Sequence, residues 1–341
     1  MSDKGTVLVT GGSGFIGGWC IIGLLRQGYT VRTTVRSLAR ESAVRAALSA
    51  VVPPEDRLSF YAAELMSDAG WDAATQGCDY VLHVASPLGA AEPKDPNELI
   101  VPAREGAKRA VAAAIRAGVK RVVLTSSVAA TSLGATAGDY TADETVWTDV
   151  TKPKVSAYYQ SKTLAERAAW DLIAASGSAT TLATVNPSLV IGPVLSKDFS
   201  DSVQVIQRLL SGKVPGIPRI GFNVVDVRDV ADLHIRAMTA PEAAGQRFIA
   251  AGDFAWMAEM AQILRDGLGA QAAKVPTRKV PDFVLRLVAL VDRDLGAVTP
   301  SLGKKHEYSS AKAQKVLGWT PRPMAQTVLD CGRSLIAAGV V

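Results

Sequence analysis

Along the first 190 residues, short apolar runs alternate with stretches whose apolar positions recur at helical spacing. That order lays down a parallel, doubly wound sheet. Val7-Leu8-Val9 reads as a strand buried on both faces. Phe15 to Arg26 reads as the helix that follows, with Gly28 as its stop. Thr30–Val35, Leu58–Ala62 and Tyr80–Val84 read as the next three strands. Arg104–Ala117 predicts a helix stopped by Gly118, leading into a strand at Arg121–Thr125. Tyr158–Ala175 predicts a long helix, and Thr181–Val185 a strand closed by Asn186-Pro187. The alternation then loosens. Val194–Pro218 is rich in turn residues, and Val224–Met238 reads as strand then helix. From Phe254 onward, helices are mixed with Pro276, Pro281 and Pro300. No internal repeat or Gly/Ser linker divides the chain.

Composition narrows the classes. With 341 residues, 48% of them hydrophobic, the chain can bury a large core. A formal charge of +5 raises the question of nucleic acid, but Lys and Arg are scattered among 32 acidic residues, with no basic run. A nucleic-acid partner is not expected, since such binding needs clustered phosphate-neutralising charge; the mild excess suits anionic cofactors. Cys20, Cys78 and Cys331 imply no disulfide framework, and His83, His234 and His306 offer no metal-ligand spacing. Phe283–Val291 is apolar but short and interrupted by Arg286. With no leader-like start and no stretch near the ~20 residues that span a bilayer, a cytoplasmic protein without a membrane partner is expected.

The first strand runs into Gly11, Gly14 and Gly17, spaced G-x-x-G-x-x-G ahead of a helix. Glycine is needed where the chain turns tightly, where it nears a pyrophosphate and where helix meets strand. The helix start then offers N–H groups and partial positive charge to phosphates. This predicts a Rossmann cofactor site at Gly11, Ser13, Gly14, Phe15, Ile16 and Gly17. Where an acidic residue would take the ribose hydroxyl of NAD, the chain has Arg36, with Arg32 and Arg40 nearby. A guanidinium can take a 2′-phosphate through paired charge-assisted bonds, so the expected cofactor is NADP(H).

Tyr158 and Lys162 are four residues apart and share a helix face. A free phenol titrates near pH 10; an adjacent ammonium favours the phenolate and would ready Tyr158 for proton transfer. Thr125-Ser126-Ser127 ends a strand, so its hydroxyls are expected to open into the crevice. Ser127 is placed to hold a carbonyl oxygen that gains charge, while one of the two serines is expected to serve only as a cap. Tyr159 is the competing phenol, but only Tyr158 has a lysine four residues on.

With these motifs, the chain resembles an extended short-chain dehydrogenase/reductase. It is most similar to the branch holding dihydroflavonol reductases, cinnamoyl-CoA reductases and microbial aldehyde/ketone reductases. The segments that carry the resemblance include VTGGSGFIG at 9–17, VLHVASP at 81–87, YYQSKTLAE at 158–166, NPSLVIGP at 186–193 and LGWTPRP at 317–323. The resemblance implies Ser127, Tyr158 and Lys162 as the catalytic set, with Lys162 also holding the nicotinamide ribose. It implies Arg36 at the 2′-phosphate, Val84, Ala85 and Ser86 along the cofactor's middle, and Pro187 and Leu189 beside the nicotinamide; Arg40 and Thr125 are also counted among the expected cofactor-binding residues. Glu64-Leu65 stands where an Asp-Leu pair often meets the adenine. Two departures limit the transfer. Pro102-Ala103-Arg104-Glu105-Gly106 lacks an asparagine that many members use, and Val155–Gln160 lacks the cysteine-containing signature of cinnamoyl-CoA reductases, which disfavours a CoA thioester.

The resulting expectation is an NADPH-dependent carbonyl reductase interconverting aldehydes or ketones with alcohols. The cofactor domain would be 1–190 with 221–252, and the smaller, discontinuous substrate domain 191–220 with 253–341. Pocket walls are expected from 87–100, 128–150, 189–225 and 253–300. A sugar-nucleotide epimerase or dehydratase, or a non-catalytic NADP-binding redox sensor, are the rival readings. Assembly is open between monomer and homodimer. His83 and Trp319 are expected to be packing residues, and Asp226 and Asp229 helix caps.

Overall fold

The structure, a computed structural model, describes residues 4–87, 93–135, 137–153, 155–213, 216–289 and 299–341. Of the expected pocket walls, 88–92, 136, 214–215 and 290–298 lie outside these residues, as does the end of the apolar stretch at Val291.

Seven parallel strands form the main sheet: β1 (Thr6–Thr10), β2 (Thr30–Val35), β3 (Leu58–Ala62), β4 (Tyr80–His83), β5 (Arg121–Thr125), β7 (Thr181–Pro187) and β10 (Gln246–Ala250). The order β10-β7-β5-β4-β1-β2-β3 reverses between β1 and β4. A doubly wound sheet opens a crevice at such a switch point, outside the strands' carboxyl ends. This is the expected α/β Rossmann architecture.

Strand alternation sorts the core into two layers. Val7, Val9, Leu82, Val123 and Val185 pack with α1 (Phe15–Arg26) and α7 (Val227–Thr239). Leu8, Val81, Val122, Leu124 and Leu182 face the other side, against α4 (Asn97–Ala117) and α5 (Ala157–Ser176). Ala103, Ala107, Ala114, Ala165 and Ala169 line that second layer. Small side chains let these two helices lie close to the sheet and to each other.

Smaller elements complete the chain. β8 (Leu189–Ile191), β9 (Gly221–Asp226) and β11 (Phe254–Trp256) form a three-stranded sheet, and β6 (Tyr140–Ala142) pairs in parallel with β12 (His306–Tyr308). The other helices are α2 (Glu41–Ser49), α3 (Trp71–Thr75), α6 (Gln204–Leu210), α8 (Met257–Leu268), α9 (Asp282–Val288), α10 (Ala311–Leu317) and α11 (Met324–Ala337), the last four following β10. Helix α4 begins seven residues before its expected start and carries Pro102 inside it. Proline there forgoes one backbone bond, a loss the packed apolar face of the helix offsets.

Asp226 caps α7, accepting from the Arg228 backbone N–H at 2.8 Å. Asp229 is not a cap: its carboxylate receives the Arg322 backbone N–H at 2.6 Å and the Arg322 guanidinium. Trp319 is fully buried, its indole donating to the Asp229 carbonyl at 2.8 Å. All three cysteines are free thiols in the core.

Candidate active site

The glycine turn is built as its spacing predicts. Gly11 has φ +71°, and a Cβ there would lie 3.0 Å from the Ala85 Cα. A Cβ at Gly17 would run into the Gly11 carbonyl. Thr34 fixes the turn by accepting the Gly11 N–H at 3.1 Å on its hydroxyl. No side chain caps α1, and its first turn holds no acidic residue. Its opening N–H groups are therefore left for a ligand that accepts hydrogen bonds, as a pyrophosphate does. Ser13, Gly14, Phe15 and Arg40 border a cavity of about 290 Å³.

The three arginines differ. Arg32 is spent on backbone carbonyls, donating to Gln76 at 2.6 Å, and lies over the Tyr61 ring. Arg40 pairs with Asp198 at 2.5 Å. Arg36 stands exposed just past β2 with no partner among the described residues. It remains free for an incoming phosphate.

Across the crevice, the Thr10 hydroxyl accepts the N–H groups of Val84 and Ala85, each at 3.0 Å. With both lone pairs engaged, it donates to Nδ1 of His83 at 2.8 Å. His83 is a packing residue, as expected, and burial pushes its imidazole down to about 3. Ser86 meets the ammonium of Lys162 at 2.9 Å. Glu64 is exposed; its carbonyl receives the Trp71 indole at 3.1 Å, and the Leu65 side chain is the nearest neighbour to Gly106 on α4. Pro187 is buried at the end of β7, with Leu189 half-buried beyond it.

Helix α5 starts with Ser156 accepting the Tyr159 N–H, which sets Tyr158 in the first turn. The Tyr158 phenol donates to Oγ of Ser127 at 3.3 Å, and the Lys162 ammonium lies 5.9 Å from the Tyr158 ring centroid. Lys162 is only 7% exposed and has Ser86 as its one hydrogen-bond partner among the described residues. Two of its three donors are left without protein acceptors, which fits vicinal ribose hydroxyls.

Three expectations need correction. The Thr125 hydroxyl does not open into the crevice; it meets Nε2 of His234 at 2.7 Å on the α7 side. The Ser126 hydroxyl turns to the opposite side and donates to Glu166 on α5 at 2.5 Å. Thr125 and Ser126 face opposite layers, as alternation along a strand requires, whereas Ser127 lies past the end of β5, where it opens the Val128–Thr131 turn and meets the phenol. Nor is Ser126 a cap: Ser127 caps the following turn, through the Ala129 N–H at 3.1 Å, while also meeting Tyr158. The third concerns charge. Burial raises the Tyr158 phenol above its ordinary value, with the Ser127 hydrogen bond pulling the other way. Burial also lowers Lys162 to about 8. In the protein alone, desolvation outweighs the Ser127 hydrogen bond at the phenol, and the ammonium is itself weakened by burial.

Several supporting residues carried no signal of their own. Thr10 and Thr34 read as strand residues, and Glu166 as an ordinary helix acid. A buried carboxylate needs partners, and Glu166 has them in Asn186 and Arg247.

The NAD dependent epimerase/dehydratase family matches residues 7–251. Cinnamoyl-CoA reductase 2 of Arabidopsis thaliana is 36% identical over 342 residues, covering 99% of this chain and 94% of that one. Dihydroflavonol 4-reductase of Zea mays is 36% identical over 272 residues, 78% of this chain and 75% of that one. Yeast methylglyoxal/isovaleraldehyde reductase Gre2, solved with NADPH, superposes with a TM-score of 0.82 at 26% identity, covering 98% of this chain and 100% of that one.

Proposed function

Because the chain belongs to the NAD dependent epimerase/dehydratase family, as an extended short-chain dehydrogenase/reductase, we propose that it is an NADPH-dependent reductase of aldehydes and ketones. The observation that carries this reading is the Tyr158 phenol on Ser127, with the buried Lys162 ammonium beside it at the mouth of the glycine-turn crevice. The relatives support it: Gre2 was solved with NADPH, and its name specifies two small carbonyl compounds.

Each residue has a role in this reading. The α1 N–H groups and Ser13 take the pyrophosphate, Arg36 takes the 2′-phosphate with help from Arg40, and Lys162 holds the nicotinamide ribose. NADPH, when bound, supplies the hydride. Ser127 holds the carbonyl oxygen and Tyr158 delivers its proton as charge develops there. In the direction of alcohol oxidation, the Lys162 ammonium beside Tyr158 would favour the phenolate that accepts the alcohol's proton. The substrate domain would comprise residues 191–220 and 253–341.

Loss of NADPH absorbance with a panel of aromatic, aliphatic and cyclic carbonyls tests the reading, run on the parent and on Tyr158→Phe. Turnover by the parent and a fall of about 10³-fold in the variant are expected. Equal rates would sink the mechanism. Tightly retained NAD and a nucleotide-sugar preference would instead favour the epimerase reading, which Arg36 argues against.

A further inference from the structure

Among the described residues, only one ion pair has both partners nearly sealed from water: Glu166 at 0% and Arg247 at 9% side-chain exposure. Burying two such charges is unfavourable unless every polar atom is answered, and here each is. Glu166 Oε1 accepts from Arg247 Nε at 2.6 Å, Thr184 at 3.1 Å and Trp170 at 3.3 Å. Oε2 accepts from Ser126 at 2.5 Å, Asn186 at 2.8 Å and Arg247 Nη2 at 3.3 Å. Arg247 donates onward to the carbonyls of Glu144, Val146 and Ala130 at 2.7, 2.9 and 3.4 Å.

These contacts converge on one short segment. Ser126 is tied through its hydroxyl to Glu166, Ser127 through its carbonyl to Asn186 at 3.1 Å, and Ala130 through its carbonyl to Arg247. Slung between these ties is the Ser127 hydroxyl, 3.3 Å from the Tyr158 phenol. Glu166 itself lies on α5, four residues past Lys162 and eight past Tyr158. A single carboxylate therefore spans the two elements whose side chains must meet, the end of β5 and the helix that carries the phenol.

We propose that Glu166, clamped by Arg247, is the positioning residue that sets Ser127 against Tyr158. It touches neither substrate nor cofactor, and its role rests on reading Tyr158 and Ser127 as the reacting pair. Well-packed apolar side chains of similar volume could fill the same space as stably. What the charged hub adds is direction: each bond fixes an atom of the serine segment at a set distance from α5. Displacements of about 1 Å at a reacting centre lower rates by about a hundredfold.

Two variants test this, Glu166→Gln and Ser126→Ala. For Glu166→Gln, kcat is expected to fall about 100-fold while the KM for NADPH stays within about twofold. The primary isotope effect with deuterated NADPH should rise as the chemical step slows. A second readout needs neither substrate nor cofactor: hydrogen exchange at the amides of Ala129 and Ala130, which bond to the Ser127 hydroxyl and carbonyl. These amides should exchange at least about tenfold faster in Glu166→Gln, with amides of β1 to β3 unchanged. Uniformly faster exchange with an unchanged isotope effect means that Glu166 only stabilises the fold, and overturns the proposal. Should Glu166→Gln fail to fold, Ser126→Ala, which keeps the ion pair, decides. Faster local exchange with a several-fold lower kcat supports the proposal; parent-like exchange and kcat overturn it. A parent protein inactive on every carbonyl would defeat the functional reading while leaving the exchange result to decide the hub.

Discussion

The crevice has two ends of opposite construction. Ser127 and Lys162 are enclosed, with the Tyr158 phenol held on Ser127, whereas Arg36 and Arg40 stand in solvent, Arg40 in an exposed ion pair with Asp198. At the enclosed end, charge is penalised by desolvation, so a group's presence there implies a task. At the exposed end, charges are screened and each contact is worth little by itself. Substitutions should therefore be severe at one end and graded at the other.

The sharpest separation is expected from Lys162→Met. Activity should fall about 10³-fold, because the ribose anchor and the phenol's nearby charge go together. Yet the protein should become more stable at pH 7. Burial lowers the Lys162 ammonium from 10.5 to about 8, a difference worth up to about 3 kcal/mol at roughly 1.4 kcal/mol per unit, less the lost Ser86 bond. The folded state holds fewer protons between pH 8 and 10.5, so the parent's own stability should climb through that window and the gap should close. Melting temperatures of the two proteins at pH 7 and pH 10 check this, and a variant that melts below its parent at pH 7 would contradict it.

The next largest effect belongs to the floor beneath the enclosed end. Burial pushes His83 to about 3 and His234 to about 4. Both are neutral when folded but titrate near 6.5 when unfolded. The unfolded chain then binds more protons below pH 6.5, and stability should fall steadily as pH drops from there toward 4, by several kcal/mol in all. Urea midpoints measured across that range should show the slope; a flat profile would mean that the two rings are less enclosed than their contacts with Thr10 and Thr125 indicate.

How far these two ends could be read from sequence follows from what sets each one. Strands β1, β2, β3 and β5 and the span of α1 follow from apolar runs and glycine stops, which are local. The three-residue strands β6 and β12 carry no alternation long enough to see and exist by pairing with each other across more than 160 residues. Ser127, Tyr158 and Lys162 were legible because a fixed spacing on one strand end and one helix puts them together. The errors at Thr125 and Ser126 arose because a strand's period says that neighbours face opposite ways, not which side faces the crevice; that depends on where α5 and α7 dock. Glu166 was hidden for a similar reason, since its partner Arg247 comes from β10. An acid on the helix face shared with Tyr158 and Lys162 was the available clue, because that face had to meet the sheet.

At the exposed end, Arg36→Ser is expected to raise the KM for NADPH about tenfold to thirtyfold and leave that for NADH unchanged. That corresponds to losing one charge-assisted phosphate contact. Initial-rate measurements with both cofactors decide it. Equal changes for the two would place the 2′-phosphate elsewhere, with Arg40 as the next residue to vary.

The smallest effect should come from Asp198→Asn, and its sign is informative. Asp198 occupies Arg40 in the structure, so a 2′-phosphate approaching that guanidinium meets a carboxylate already in place. Neutralising Asp198 frees Arg40 and removes a negative charge from the path. The pair is exposed, and such pairs contribute about 0–1 kcal/mol, so the KM for NADPH should fall by only about twofold to threefold. Added salt should erase the difference, because both the pair and the competing phosphate contact are screened. NADH lacks the phosphate and should not respond at all. A rise in the KM for NADPH would reverse the argument: Asp198 would then hold Arg40 in its working position, and the exposed end would depend on the same kind of fixed geometry as the enclosed one.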